Sequence, residues 1–109
     1  MQKHGLNKPG RELDGIVELF RLLSDKTRLN ILMLLADGER NVGSLCDLLK
    51  LPQPTVSHHL GLLRMRNLIS NQRRGKSVFY RLNSHVAPEA NGMLRIGGDS
   101  YSVALSQRD

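Results

Sequence analysis

The sequence is poor in what several function classes require. Its 109 residues include one cysteine, Cys46, so it can form neither an internal disulfide nor a metal cage of paired thiolates. Cys46 lies on an apolar helical stripe and is read as a buried thiol; with no second cysteine to resolve an oxidised one, it is not read as a redox sensor. No run approaches the roughly 20 apolar residues that span a bilayer, and Met1 to Gly10 is polar with no apolar segment behind it, unlike a secretory leader. A soluble, cytoplasmic protein without a membrane partner is expected. The sequence shows no glycine-rich phosphate loop, no metal-binding His-Glu cluster and no serine, histidine and acid set of recognisable spacing, which argues against an enzyme and against a bound cofactor. At this length one compact domain with one core is expected.

What the chain does have is positive charge in one place. Residues 1–40 hold seven Lys or Arg against six Asp or Glu, a balance of +1, and residues 82–109 hold two against three, a balance of −1. Residues 41–81 hold seven basic residues and only Asp47 as an acid, so the whole formal charge of +6 sits there. A localised basic footprint suits a surface that displaces counterions from a polyanion.

The same segment carries a two-helix pattern. Val42, Leu45, Cys46 and Leu49 recur at i, i+3, i+4 and i+7, one buried face of a first helix. Lys50-Leu51-Pro52-Gln53-Pro54 breaks it, and Pro54, with fixed φ and no N–H, suits the start of a second helix. There Val56, Leu60 and Leu63 face inward, which leaves Gln53, Thr55, Ser57, His58 and Arg64 outside. An amide, short hydroxyls, an imidazole and a guanidinium are the groups that read base edges and grip phosphates, and the arrangement reads as a helix-turn-helix. His58 and His59 do not form a metal pair, because adjacent helical residues point about 100° apart; His58 is expected to face DNA and His59 to be partly packed.

Along the rest of the chain, residues 1–10 read as a mobile tail. A helix from about Arg11 to Leu23 carries Leu13, Ile16, Val17 and Phe20 at helical spacing. Ser24 or Asp25 caps a second helix, apolar nearly all round from Leu29 to Ala36 and therefore central, which Gly38 closes. After the helix-turn-helix, Leu68–Ser70 and Val78–Leu82 read as strands around the basic tip 71–77. Such a hairpin packs on the helices and leaves Arg73, Arg74 and Lys76 to grip the DNA backbone or enter a minor groove. The expected class is α+β, mainly α: a winged helix-turn-helix over residues 11–83, with a three- to four-helix core and a β-hairpin wing. Beyond it, Pro88 and Asn91-Gly92 limit any helix to about two turns. Leu94 and Ile96, then Tyr101, Val103 and Leu105, alternate around Gly97-Gly98-Asp99, so a second hairpin is expected within residues 84–109.

Three motifs in this order carry a resemblance. FRLLSDKTRLNIL from Phe20, QPTVSHHL from Gln53 and RRGKSVFYRL from Arg73 together resemble the ArsR/SmtB family of bacterial repressors over residues 12–82. The resemblance implies a homodimer that binds an inverted-repeat double-stranded DNA operator and represses its own operon. It also implies Gln53, Thr55, Ser57 and His58 as base-reading positions, with the wing on flanking backbone. The departures matter equally. Asn41 and Gly43 stand where many members have the cysteines of a Cys-Val-Cys motif. Asn83, His85, Ile96 and Asp99 stand at the spacing of the other common metal site, so no metal site is expected and no inducer can be named. His85 and Glu89, four apart, are interrupted by Pro88. Lys50 and Pro52 replace a common glycine and serine in the turn, and Gly61 a frequent lysine. The long C-terminal dimerisation helix that the resemblance implies is replaced by the second hairpin, whose exposed strand edges offer a way to pair subunits. The alternative is a winged-helix protein–protein interaction module without DNA binding, which would not distinguish operator from random duplex.

Overall fold

The computed structural model describes residues 9–98, 101–106 and 108; the expectations for the tail up to residue 8 and for Asp99 fall outside them. Helices α1 (Pro9–Leu23), α2 (Lys26–Ala36), α3 (Val42–Leu49) and α4 (Gln53–Met65) precede the wing, with a short strand β1 (Arg40–Asn41) between the second and third. The wing is β2 (Ile69–Arg74) and β3 (Ser77–Leu82). Strands β4 (Val86–Glu89), β5 (Met93–Gly97) and β6 (Ser102–Ser106) follow, a single 3-10 turn joining the first two. Among the described residues two three-stranded antiparallel sheets result, in the orders β1-β3-β2 and β4-β5-β6. No helix among the described residues is long and apolar enough to cross a membrane.

The core forms where the periodicity places it, with one exception. Ile31, Leu32 and Leu35 of α2, Leu45 of α3, and Val56, Leu60 and Leu63 of α4 are buried. The expected α3 stripe otherwise packs half-buried, Val42, Cys46 and Leu49 lying against this cluster. The exception is α1, where Leu13, Val17 and Phe20 of the apolar stripe are 39%, 42% and 52% exposed. That helix is anchored instead by Leu22 and Leu23 at its end. It begins at Pro9, two residues before the expected Arg11.

Of the two possible caps for α2, Asp25 is the one used: its carboxylate accepts the N–H of Arg28 at 3.0 Å. That bond, with the Arg28 and His59 charges beside it, holds the Asp25 carboxyl below its usual 3.8 despite a partial loss of solvent. The charged form is therefore favoured in the folded state, so its contribution is present above the unfolded value and is lost as pH falls through the lower folded one. Asp25→Ala should cost about 1 kcal/mol near neutral pH, read by urea denaturation. As pH falls from 3.8 through the lower folded value, the variant and the parent should converge.

The wing turns in two residues, Gly75 and Lys76, with Arg74 paired to Ser77. Gly75 at φ +62° supplies the positive backbone angle that such a turn takes at its first central position. The strands thus run to Arg74, and the expected tip 71–77 shrinks to its end. Tyr80 and Leu82, which strand alternation sets on one face, pack on the core.

The C-terminal segment contains the expected hairpin, β5 with β6, together with a third strand, β4. The two helical turns that were allowed there reduce to the 3-10 turn Ala90–Gly92. Val86, Leu94 and Ile96 are buried and belong to the same apolar cluster as the helices.

Candidate nucleic-acid interface

Helix α4 divides cleanly in two. Val56, Leu60 and Leu63 on its inner side are 0% exposed, whereas Gln53, Thr55, Ser57, His58, Gly61 and Arg64 are all exposed. Among the described residues, no side-chain hydrogen bond or ion pair engages Gln53, Thr55, Ser57, His58 or Arg64. The first turn of α4 has Pro54 within it and no acidic residue, so no fixed negative charge opposes a phosphate at the positive end of the helix. Gly61, with nothing within 4 Å of where a Cβ would stand, leaves a shallow spot between Ser57 and Arg64.

His59 is half-buried and tied inward. Its Nδ1 lies 3.2 Å from the Arg28 guanidinium and 3.9 Å from the Asp25 carboxylate. Arg28 Nε also donates to the Leu22 carbonyl at 2.7 Å, so one side chain joins the end of α1, the start of α2 and the inner flank of α4. Periodicity indicated only that His59 is partly packed; its partners lie 31 and 34 residues away, and no local pattern marks them.

The wing cations separate. Arg73 and Lys76 are exposed and without an ion pair among the described residues. Arg74 corrects the expectation that it is free for phosphate: it holds Glu39 through two hydrogen bonds of 2.7 and 2.8 Å. It also donates to the Gln72 amide oxygen and lies 4.8 Å from the centre of the Phe79 ring. Its hydrogen bond holds the Glu39 carboxyl below the usual carboxylate value. Because strand residues alternate, Arg73 and Arg74 leave opposite faces of the wing; only the second reaches Glu39.

Residues placed by the resemblance at metal positions are occupied otherwise. Asn83 donates to the carbonyls of Asn67 and Ile69 at 2.7 and 3.4 Å, and Ile96 is buried. Glu89, four residues from His85, pairs with Arg95 at 2.9 Å. Cys46 is half-buried with a free thiol.

Comparison with known proteins decides the family. Residues 25–71 match the model described as bacterial regulatory protein, arsR family. The chain is 36% identical over 77 residues to the transcriptional repressor SdpR of Bacillus subtilis, which covers 70% of this chain and 86% of SdpR. The chain belongs to the ArsR family. It is also similar to the HTH-type transcriptional regulator KmtR of Mycobacterium tuberculosis, 47% identical over 79 residues, 72% of this chain and 61% of KmtR; the chain thus spans about three fifths of that relative's length. The homodimeric winged helix-turn-helix DNA-binding domain Mb0332 of Mycobacterium bovis superposes with a TM-score of 0.62 at 29% identity, over 75% of each chain. Members of this family are regulators and not enzymes, and the architecture of four helices and a wing is that of a winged helix-turn-helix.

Proposed function

We propose that this ArsR-family chain is a dimeric cytoplasmic repressor of its own operon that reads an inverted-repeat double-stranded DNA operator. Helix α4 enters the major groove, with Gln53, Thr55, Ser57 and His58 toward base edges, while Arg64, Arg73 and Lys76 meet phosphates. Arg74 acts differently: it braces the wing against Glu39 and lends little charge to DNA. The observation that carries this reading is the polar, uncovered outer side of α4 above a fully buried inner side. The net +6 of residues 41–81 supports it, since it coincides with that helix and the wing. The homodimer is transferred from Mb0332 and the repressor role from SdpR.

The test is binding to a duplex from upstream of the chain's own gene, titrated with salt. A steep loss of affinity with salt and a clear preference over random duplex are expected; equal binding of both would refute the reading. The wing has a separate expectation. Arg73→Ala should weaken binding to every sequence alike and reduce the slope of log affinity against log salt by about 1. Arg74→Ala should change that slope much less, because its charge is already compensated by Glu39.

A further inference from the structure

We infer that strand β6 is the subunit contact, pairing antiparallel with β6 of a second copy about a twofold axis through Ala104. The inference rests on the dimeric reading above and adds to it the surface and the register.

The direction of the backbone groups follows from two bonds. Gly97 donates its N–H to the His85 carbonyl and Gly98 donates to the Tyr101 carbonyl, each at 2.8 Å. Alternate residues of an antiparallel strand turn their N–H and C=O to opposite sides. The odd residues of β5 therefore bond to β4, and the even ones, Leu94 and Ile96, bond to their β6 partners Leu105 and Val103. The backbone N–H and C=O of Ser102, Ala104 and Ser106 then point off the sheet. No strand among the described residues pairs with them.

The opposite edge offers no free N–H. On β4 the outward positions are Val86 and Pro88. The N–H of Val86 is taken by the Asn83 carbonyl at 3.0 Å, and proline has none to offer. β6 has no such protection: it reads Ser-Val-Ala-Leu-Ser, without the proline, charge or bulge that keeps edges apart.

That composition also selects the occupant. An antiparallel pair of identical strands is self-complementary, as a twofold interface requires. Centred on Ala104, it sets Ser102 opposite Ser106 and Val103 opposite Leu105, and no like charges meet. Val103 and Leu105, half-exposed in one copy, would cover each other on the face that already buries Leu94 and Ile96. The dimer would thus acquire one continuous six-stranded sheet in the place where the family resemblance leads one to expect a long helix.

The experiment uses the whole chain and two double variants that alter the same positions. In S102E/S106E every cross-subunit 102–106 pair carries two carboxylates; in S102K/S106E every such pair is opposite in charge. Sedimentation equilibrium should show a dimer for the parent and for S102K/S106E, with dimerisation at least about tenfold weaker in S102E/S106E. A104P, which removes an N–H aimed away from β5, should also be monomeric with an unchanged circular dichroism spectrum. A parent that is monomeric, or equal dimerisation of all variants, would overturn the inference, and dissociation of both double variants would overturn the register. A monomeric parent would also overturn the dimeric part of the proposed function, whereas the variant outcomes bear on β6 alone; the DNA-binding reading fails if the parent does not prefer its operator.

Discussion

Replacing Ser57 and His58 together by alanine should abolish preference for the operator while leaving the fold intact. Each base-reading contact is worth ~1–3 kcal/mol of discrimination, so losing two should weaken operator binding at least about thirtyfold. Affinity for random duplex should hardly change, because it comes from phosphate contacts made elsewhere on the surface. The melting temperature should also stay within a degree or two of the parent's, since both side chains are exposed and the one contact of His58 among the described residues is an edge-on approach to the His59 ring, centroids 5.6 Å apart. Fluorescence anisotropy on operator and scrambled duplexes reads the first two quantities, and thermal denaturation the third. A parallel fall on both duplexes would mean that these side chains meet backbone and that base reading lies elsewhere on the helix.

On the opposite side of the same helix, Leu60→Ala should act through stability alone. Leu60 is 0% exposed and belongs to the cluster shared by all four helices. Truncating a leucine in such a place removes its transfer free energy and leaves a cavity, together ~2–5 kcal/mol. A domain of this size has a total stability of ~5–15 kcal/mol, so the variant should be partly unfolded at 37 °C and bind DNA only when cooled or held by operator. Met65, 79% exposed on the same helix, provides the contrast: Met65→Ala should be within ~0.5 kcal/mol of the parent. Urea titrations with unchanged slope would establish both values. A small effect at Leu60 would show that the helix is not seated as described.

Local pattern made some of this legible and long-range pairing hid the rest. Helix α4 could be read correctly because Val56, Leu60 and Leu63 repeat at helical spacing and Gln53, Thr55, Ser57, His58 and Arg64 fall outside that stripe. The same logic misjudged α1, since Leu13, Val17 and Phe20 satisfy the spacing but stay uncovered in a single chain; period identifies an apolar face and does not say which molecule covers it. Strand β4 was missed because it is short and contains Pro88, which demotes a strand unless that residue lies at an edge. β1 has only two residues, too few for any alternation. The guanidinium of Arg74, expected on phosphate, is instead held by Glu39, a partner 35 residues upstream that no spacing rule connects to it. The base-reading candidates, by contrast, follow from one helix alone, and all four lie on its uncovered side.

Short as it is, β1 splices the parts of the interface together. Arg40 pairs with Tyr80 and Asn41 with Phe79 of the wing, while Arg40 Nε donates to the Leu34 carbonyl near the end of α2 at 3.1 Å. Asn41 then caps α3, its side-chain oxygen accepting the Ser44 N–H at 2.7 Å. The wing is thereby tied to the start of the helix pair, and in the proposed DNA reading the two parts would move together. Under that reading, little freedom would be left to surrender on binding a duplex, and tolerance for altered spacing between groove and flank should be low.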